Sequence, residues 1–316
     1  MKHKPIIVMI LLLMFIITQF IGLYVIFHYA NPTNELPLGM GYPQTPQTCD
    51  INSISDLFSC TQYLVTIIFA FIIAVTLFLF LTKIKAEFII RLWFFLVVAI
   101  ALVISFLAIP GITSLAVAGI AALFFSFMKV FRRNLWFHNF TELLVYPGIA
   151  AVFIPILNVY TVLILLVLIS IYDMWAVWHS KIMIKMAKYQ INKVRAFSGF
   201  FVPYMSKNVR LQLQKMKSSK TKSGKSNLKN KGIKVNVAIL GGGDVVFPII
   251  TAGVFLLASP SIVVGLFYAL SIIIGAAAGL LYLFIRSEKK KFYPAMPFIT
   301  TGIFAGLLVA WLISMI

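Results

Sequence analysis

Residues 238–250, AILGGGDVVFPII, place an aspartate directly behind three glycines inside an apolar run. A carboxylate is costly to bury in such a setting, and consecutive glycines weaken a helix. Only Asp173, in ISIYDMWAVW, lies as deep in apolar sequence as Asp244; the other six acids fall in loops or at the ends of apolar segments. Two buried acids in one chain need a common explanation.

The composition is that of a membrane protein. Of the 316 residues, 61% are hydrophobic, and the mean hydropathy is +1.01. A soluble domain of this composition would have more apolar surface than its core could cover. We therefore expect a polytopic membrane protein.

The net charge of +19 is distributed as in cytoplasmic loops. Fifteen of the 27 Lys and Arg residues lie between positions 181 and 234, and the others cluster in short gaps between apolar runs. This is the pattern of the positive-inside rule, and no nucleic-acid-binding motif accompanies it. We expect the basic segment to be attracted to anionic lipid head groups rather than to nucleic acid.

The apolar segments predict an all-α protein with nine transmembrane helices. Each is long enough to cross about 30 Å of hydrocarbon. The predicted spans are 5–27, 57–82, 88–109, 112–131, 141–157, 159–180, 236–258, 260–285 and 293–316. The charges of the loops place the N-terminus in the cytoplasm and the C-terminus outside the cell membrane.

This layout divides the chain into three parts. Residues 1–180 form an N-terminal six-helix part that carries Asp173, residues 181–235 a basic cytoplasmic loop, and residues 236–316 a C-terminal three-helix part that carries Asp244. We expect the first half of the loop to prolong the sixth helix and then lie along the membrane face. The polar stretch between Cys49 and Cys60 faces outside, and either a disulfide or two free thiols fit it.

The two buried aspartates are predicted to lie at similar depth. Asp173 precedes Lys181 by eight residues and Asp244 follows Lys234 by ten, which corresponds to roughly 12 and 15 Å at ~1.5 Å per helical residue. The two spans are consecutive and antiparallel, so the carboxylates can face each other.

Two facing carboxylates in a poorly hydrated site tend to share one proton. This is the arrangement of aspartic proteases, in which the ionised carboxylate takes a proton from water and the protonated one polarises the scissile carbonyl. The glycines before Asp244 would let backbone and substrate approach the acid closely.

Three motifs resemble those of one family. Tyr172-Asp173 resembles the YD motif of presenilins and signal peptide peptidases, and Gly241-Gly242-Gly243-Asp244 resembles their GxGD motif. Pro294-Ala295-Met296-Pro297 is similar to their PAL motif, with Met in place of Leu. The nine-span layout and the long loop after the sixth span agree, so the resemblance covers nearly the whole chain. The resemblance suggests an archaeal presenilin homologue.

The resemblance implies a presenilin-like fold and an intramembrane aspartyl protease. Asp173 and Asp244 would be the catalytic pair, working without metal or organic cofactor. The residues that would shape the site or bind substrate are Tyr172, Gly241, Gly243, Pro294, Ala295 and Met296. Met for Leu conserves volume and apolarity.

The substrates implied are transmembrane helices of type I orientation, because presenilins resemble this chain in having a cytoplasmic N-terminus. The substrate helix would unwind locally and pair as an extended strand with chain near the seventh or ninth span. The family also tends to cut itself near the loop after the sixth span, which makes 200–235 a candidate autoproteolytic region. Oligomerisation stays open.

Other classes of function explain the residues less well. An ion- or proton-coupled transporter could use two buried acids, but such proteins often carry repeats and paired broken helices, and this chain shows one glycine-broken segment and no repeat. No HExxH motif and no GxSx motif in a span is present, which argues against a zinc or serine intramembrane protease.

Overall fold

The computed structural model describes residues 5–31, 36–37, 87–112, 114–132, 134–179, 198–204, 236–287 and 293–315, together with separate residues between 65 and 84. Those described between 65 and 83 are helical, within the predicted span 57–82. Cys49, Cys60 and the greater part of the basic loop lie outside the described residues, so the predictions made for them stay predictions.

Long apolar helices form most of the structure. They are α1 (Pro5–Ala30), α2 (Glu87–Leu107), α3 (Leu115–Phe131), α4 (Leu135–Phe153), α5 (Val159–Met174), α6 (Gly242–Ala258), α7 (Ile262–Arg286) and α8 (Met296–Ser314). A 3-10 turn (Ile154–Ile156) extends α4, and a π-helical turn (Trp175–His179) extends α5. Within the described part of the chain, six helical segments are long and apolar enough to cross a membrane, as in a multi-pass membrane protein.

Polar side chains mark where three of these helices begin. The Asn158 side chain accepts a hydrogen bond from the Thr161 amide at 2.8 Å, and Asn134 accepts one from the Trp136 amide at 3.1 Å. Ser261 caps α7 in the same way. Each satisfies an amide that the first turn of a helix leaves without a partner, which matters most where little water is available.

The segment before Asp244 differs from the prediction. Residues 236–241 form a strand, β2 (Asn236–Gly241), which pairs antiparallel with β1 (Gly199–Tyr204), so that Gly199 lies opposite Gly241. The expected helix at 236–241 is therefore wrong. The expectation that the first half of the basic loop lies along the membrane face is also wrong for residues 199–204, because they pair with β2 and Phe200 is fully buried. Short apolar runs suit either a strand or a buried helix, and a partner strand far along the chain decided between them.

Helix α6 is the central element of the bundle. It packs against α1, α4, α5, α7 and α8. Its 17 residues would rise about 25 Å, less than the ~30 Å thickness of the hydrocarbon core. The strand β2 leads directly into its first turn, where Gly242 and Asp244 are half-buried and Gly243 is exposed.

Helices α7 and α8 are in backbone contact along facing glycines. Gly275 lies against the Gly302 carbonyl, and Gly306 lies against the Ser271 carbonyl; Gly279 meets the carbonyl of Phe298. Each helix thus carries two glycines four residues apart, the spacing that lets membrane helices approach closely. This contact fixes the start of α8, where the PAL-like motif lies.

Candidate active site

Asp244 lies in the first turn of α6, not in the middle of a helix. Gly241 is the residue that precedes the helix, and the Asp244 carboxylate accepts a hydrogen bond from its backbone amide. This is half of a capping box, in which the third helical residue satisfies the amide of the capping residue. A negative charge at a helix N-terminus is also stabilised by the helix dipole.

Asp173 lies near the end of α5 and is bound by the start of another helix. It is 4% exposed, and its carboxylate accepts a hydrogen bond from the Met296 amide at 3.1 Å, with a second contact to the Ala295 backbone. Met296 is the first residue of α8. Nearby, the Ser170 hydroxyl donates to the Thr300 hydroxyl at 2.8 Å, a second hydrogen bond between α5 and α8.

The two carboxylates are close enough for their charges to interact directly. Each also lies against the backbone at the start of a helix, Asp173 at α8 and Asp244 at α6. The depth calculation from sequence counted Asp244 along a continuous helix, whereas a strand rises about 3.3 Å per residue. The equal depth and the pairing of the two acids therefore stay predictions.

The three glycines before Asp244 have different surroundings. A Cβ on Gly241 would lie 3.0 Å from the Asp244 carboxylate, and one on Gly242 would lie 2.8 Å from the Ser198 hydroxyl and 2.9 Å from the Tyr146 ring. A Cβ on Gly243 would meet only the Phe247 ring, at 3.8 Å. Gly243 is exposed, so the space beside Asp244 is open there.

The remaining predicted site residues are distributed around Asp173. Pro294 and Met296 are buried and Ala295 is half-buried, and the contact of this motif with the acid is made by backbone rather than by side chains. The ring of Tyr172 is half-buried and lies 6.4 Å from that of Trp175, centroid to centroid. Its aromatic neighbour is thus the first residue of the π-helical turn that extends α5.

A buried charged cluster next to Asp244 was missed by the sequence analysis. Glu142, assigned there to a span end, is fully buried in α4, and its Oε1 lies 3.0 Å from the Nζ of Lys129 on α3. Lys129 also lies over the Phe94 ring, 5.3 Å from its centroid. The only signal in the sequence is that Lys129 lies near the end of one apolar segment and Glu142 near the beginning of the next.

Tyr146 connects this cluster to the aspartate. It lies one turn after Glu142 on α4 and is fully buried, with its hydroxyl against Glu142 and within the electrostatic influence of Asp244. The ring packs beneath Gly242, the first residue of α6. Ser198 lies between them, with its hydroxyl 3.4 Å from Glu142 and 3.5 Å from the Tyr146 hydroxyl.

Gln19 supplies a further polar contact from α1. Its Nε2 donates to the carbonyl of Val245, the residue after Asp244, at 3.0 Å, and the side chain is fully buried. A lone glutamine in an apolar run carries no pattern that would assign it to a site. Its position follows from the packing of α1 against α6 alone.

Comparison with known proteins agrees with this architecture. The profile of the family described as "Signal-peptide peptidase, presenilin aspartyl protease" matches residues 42–316. Two solved structures of a presenilin family intramembrane aspartate protease are similar in fold. The first, in space group C222, has a TM-score of 0.59 at 17% identity and covers 97% of this chain and 99% of its own. The second, in space group P2, has a TM-score of 0.57 at 18% identity and covers 99% of this chain and 100% of its own.

No curated protein matches the chain. The family profile, however, spans far more than half of it, and the fold agrees over nearly the whole length. The chain belongs to the signal-peptide peptidase and presenilin family of aspartyl proteases.

Proposed function

We propose that this protein is an intramembrane aspartyl endopeptidase in which Asp173 and Asp244 form the catalytic pair. The observation that carries the proposal is that the only two acids predicted to lie deep in apolar sequence are each held against the start of a helix, close enough for their charges to interact. Such helix ends favour a carboxylate, and the adjacent second carboxylate favours sharing of a proton. Family membership supports the same chemistry.

The reaction needs one water molecule and no net change in protonation. The ionised carboxylate accepts a proton from the water, whose oxygen attacks the carbonyl carbon, while the protonated carboxylate donates a hydrogen bond to the carbonyl oxygen. A proton then passes to the amide nitrogen, the C–N bond breaks, and an acid and an amine are released. The residues proposed to shape the site are Tyr172, Gly241, Gly243, Pro294, Ala295 and Met296.

The substrate is proposed to bind as an extended strand on β2. Along a strand of an antiparallel pair, successive residues direct their backbone N–H and C=O groups alternately toward the partner strand and away from it. The amides of Gly199 and Phe201 bond to side chains of α4, so their opposite residues, Gly241 and Ile239, direct their backbone groups to the other edge. That edge leads directly to Asp244 and suits pairing with an unwound segment.

We also propose the membrane arrangement derived from the charges. It has nine spans, a cytoplasmic N-terminus, an external C-terminus and a basic loop at 181–235 that binds anionic lipid, with β1 inserted from that loop. The parts 1–180 and 236–316 then each contribute one aspartate. This orientation favours substrates of type I topology. The transporter alternative is not favoured, because neither the family nor the fold match is to a transporter.

The test is mass spectrometry of a single-span helical substrate incubated with the purified protein in detergent. Parallel reactions contain Asp173→Asn and Asp244→Asn, which conserve shape, and Glu87→Gln, which alters a partly exposed acid paired with Arg91 at the start of α2. We expect cuts within the span with the wild type and Glu87→Gln only. Equal fragments from all four proteins would contradict the proposal. So would the absence of cleavage across several substrates and lipids, with ion flux that depends on both aspartates.

A further inference from the structure

The outer edge of β1 is bound by side chains of a helix. The Asn139 amide group donates to the Phe201 carbonyl at 2.8 Å and accepts from the Phe201 amide at 2.9 Å. Two residues earlier, Glu142 accepts from the Gly199 amide at 3.2 Å, and His138 lies 2.9 Å from the Gly199 carbonyl. These three side chains, which we call the α4 clamp, occupy the hydrogen-bonding positions that a neighbouring strand would take.

The clamp is costly to build inside a membrane protein. Glu142 and its counter-ion Lys129 are both without solvent exposure, and burying two charges costs more than an apolar pair of equal size would. A simple packing role would be served better by leucine and methionine. The burial of Glu142 is accounted for if its carboxylate is needed to bond the backbone of β1, as it does at the Gly199 amide.

The same cluster reaches the start of α6. Glu142 contacts Ser198 and lies beside Tyr146, and both of these side chains bound the space around Gly242. Gly242 is two residues from Asp244 and opens the turn that carries it. A shift of β1 away from α4 would therefore move β2, the strand-to-helix junction and the aspartate together.

We propose that Glu142, with Lys129 and Asn139, positions the Asp244 carboxylate by holding β1 against α4. The inference rests on the proposed protease function. Glu142 touches neither substrate nor the reacting atoms, so it is a positioning residue. Its effect is on the alignment of Asp244 with Asp173, and alignment errors of about 1 Å can lower a rate by about 100-fold.

The experiment separates hydrogen bonding from charge. The double variant Lys129→Met/Glu142→Gln removes both charges but keeps an oxygen that accepts from the Gly199 amide. Lys129→Met/Glu142→Leu removes the same charges and the acceptor. Asn139→Leu tests the clamp without touching the Lys129–Glu142 pair, and Glu87→Gln is the control for loss of a partly exposed acid that is paired with Arg91.

The readouts are kcat and KM for cleavage of the helical substrate, expressed per folded enzyme, and the unfolding temperature of each variant in detergent. We expect the glutamine double variant to keep kcat within about threefold of the wild type. The leucine double variant and Asn139→Leu are expected to lose about tenfold or more in kcat with KM changed less than twofold, since misalignment acts on the chemical step.

Equal kcat per folded enzyme in the glutamine and leucine double variants would overturn the inference, even if their unfolding temperatures differ. A loss of the same size in the glutamine variant would also overturn it, because charge and not the backbone contact would then be responsible. If the wild type itself cleaves nothing, the proposed function fails. If the wild type cleaves and all variants cleave alike, only the positioning role fails.

Discussion

Adjacent glycines at the start of α6 are expected to respond to alanine with opposite signs. In Gly242→Ala the new methyl group would lie 2.8 Å from the Ser198 hydroxyl and 2.9 Å from the Tyr146 ring. Tyr146 is fully buried and cannot move aside. Overpacking of this kind costs about 1–3 kcal/mol in the free energy of unfolding.

Gly243→Ala should instead stabilise the fold. Its methyl group would meet only the Phe247 ring, at ordinary contact distance, and among the described glycines only Gly111 has a positive φ, so alanine fits the backbone. Restricting the unfolded chain then contributes about 0.4–1 kcal/mol. The methyl group would nevertheless occupy the open space beside Asp244, so cleavage is expected to fall.

The assay is chemical unfolding of both variants in mixed micelles, with cleavage measured on the same preparations. Gly119→Ala is the control, since a Cβ there would meet nothing within 4 Å. The reasoning is refuted if Gly242→Ala is as stable as Gly243→Ala. The site-shaping role of Gly243 is refuted if Gly243→Ala cleaves as fast as the wild type.

Three further changes have defined outcomes. Lys129→Met alone leaves the buried Glu142 with only His138, 3.4 Å away, as a partner that can carry charge. It should cost about 3–5 kcal/mol of unfolding free energy, and a cost below about 1 kcal/mol in the unfolding titration would contradict this. Gly275→Ala should destabilise by about 1–3 kcal/mol, because its methyl group would collide with the Gly302 carbonyl; an unchanged unfolding midpoint would disprove that backbone contact. Met296→Leu should cost less than about 1.5 kcal/mol and retain cleavage, because the backbone amide binds the aspartate on α5; loss of cleavage in a folded variant would assign the role to the side chain.

The placement of the clamp leaves the outer edge of β2 as the edge on which the proposed substrate strand would pair. Side chains of α4 take the backbone groups of β1 at Gly199 and Phe201, and no side-chain partner of this kind is found for Ile239 among the described residues. An unpaired strand edge accepts another strand readily. In this protein that edge ends at the residue from which α6 and Asp244 begin.

The amino-acid sequence by itself determined the class of protein and the position of its two acids. Apolar composition and the lengths of the apolar runs require a membrane protein, and a carboxylate within such a run is rare enough to single out Asp173 and Asp244. Most helices begin and end within a few residues of the predicted spans, because hydropathy and helix capping are local properties.

Only the tertiary structure decided what precedes and supports Asp244. Residues 236–241 are apolar and short, so their strand depends on pairing with residues 199–204, some 35 positions away. The burial of Glu142 depends likewise on Lys129 from another helix and on the Gly199 amide. Contacts between distant segments decide both the strand at 236–241 and the burial of Glu142. The residue pattern within one segment does not indicate which other segment will pack against it.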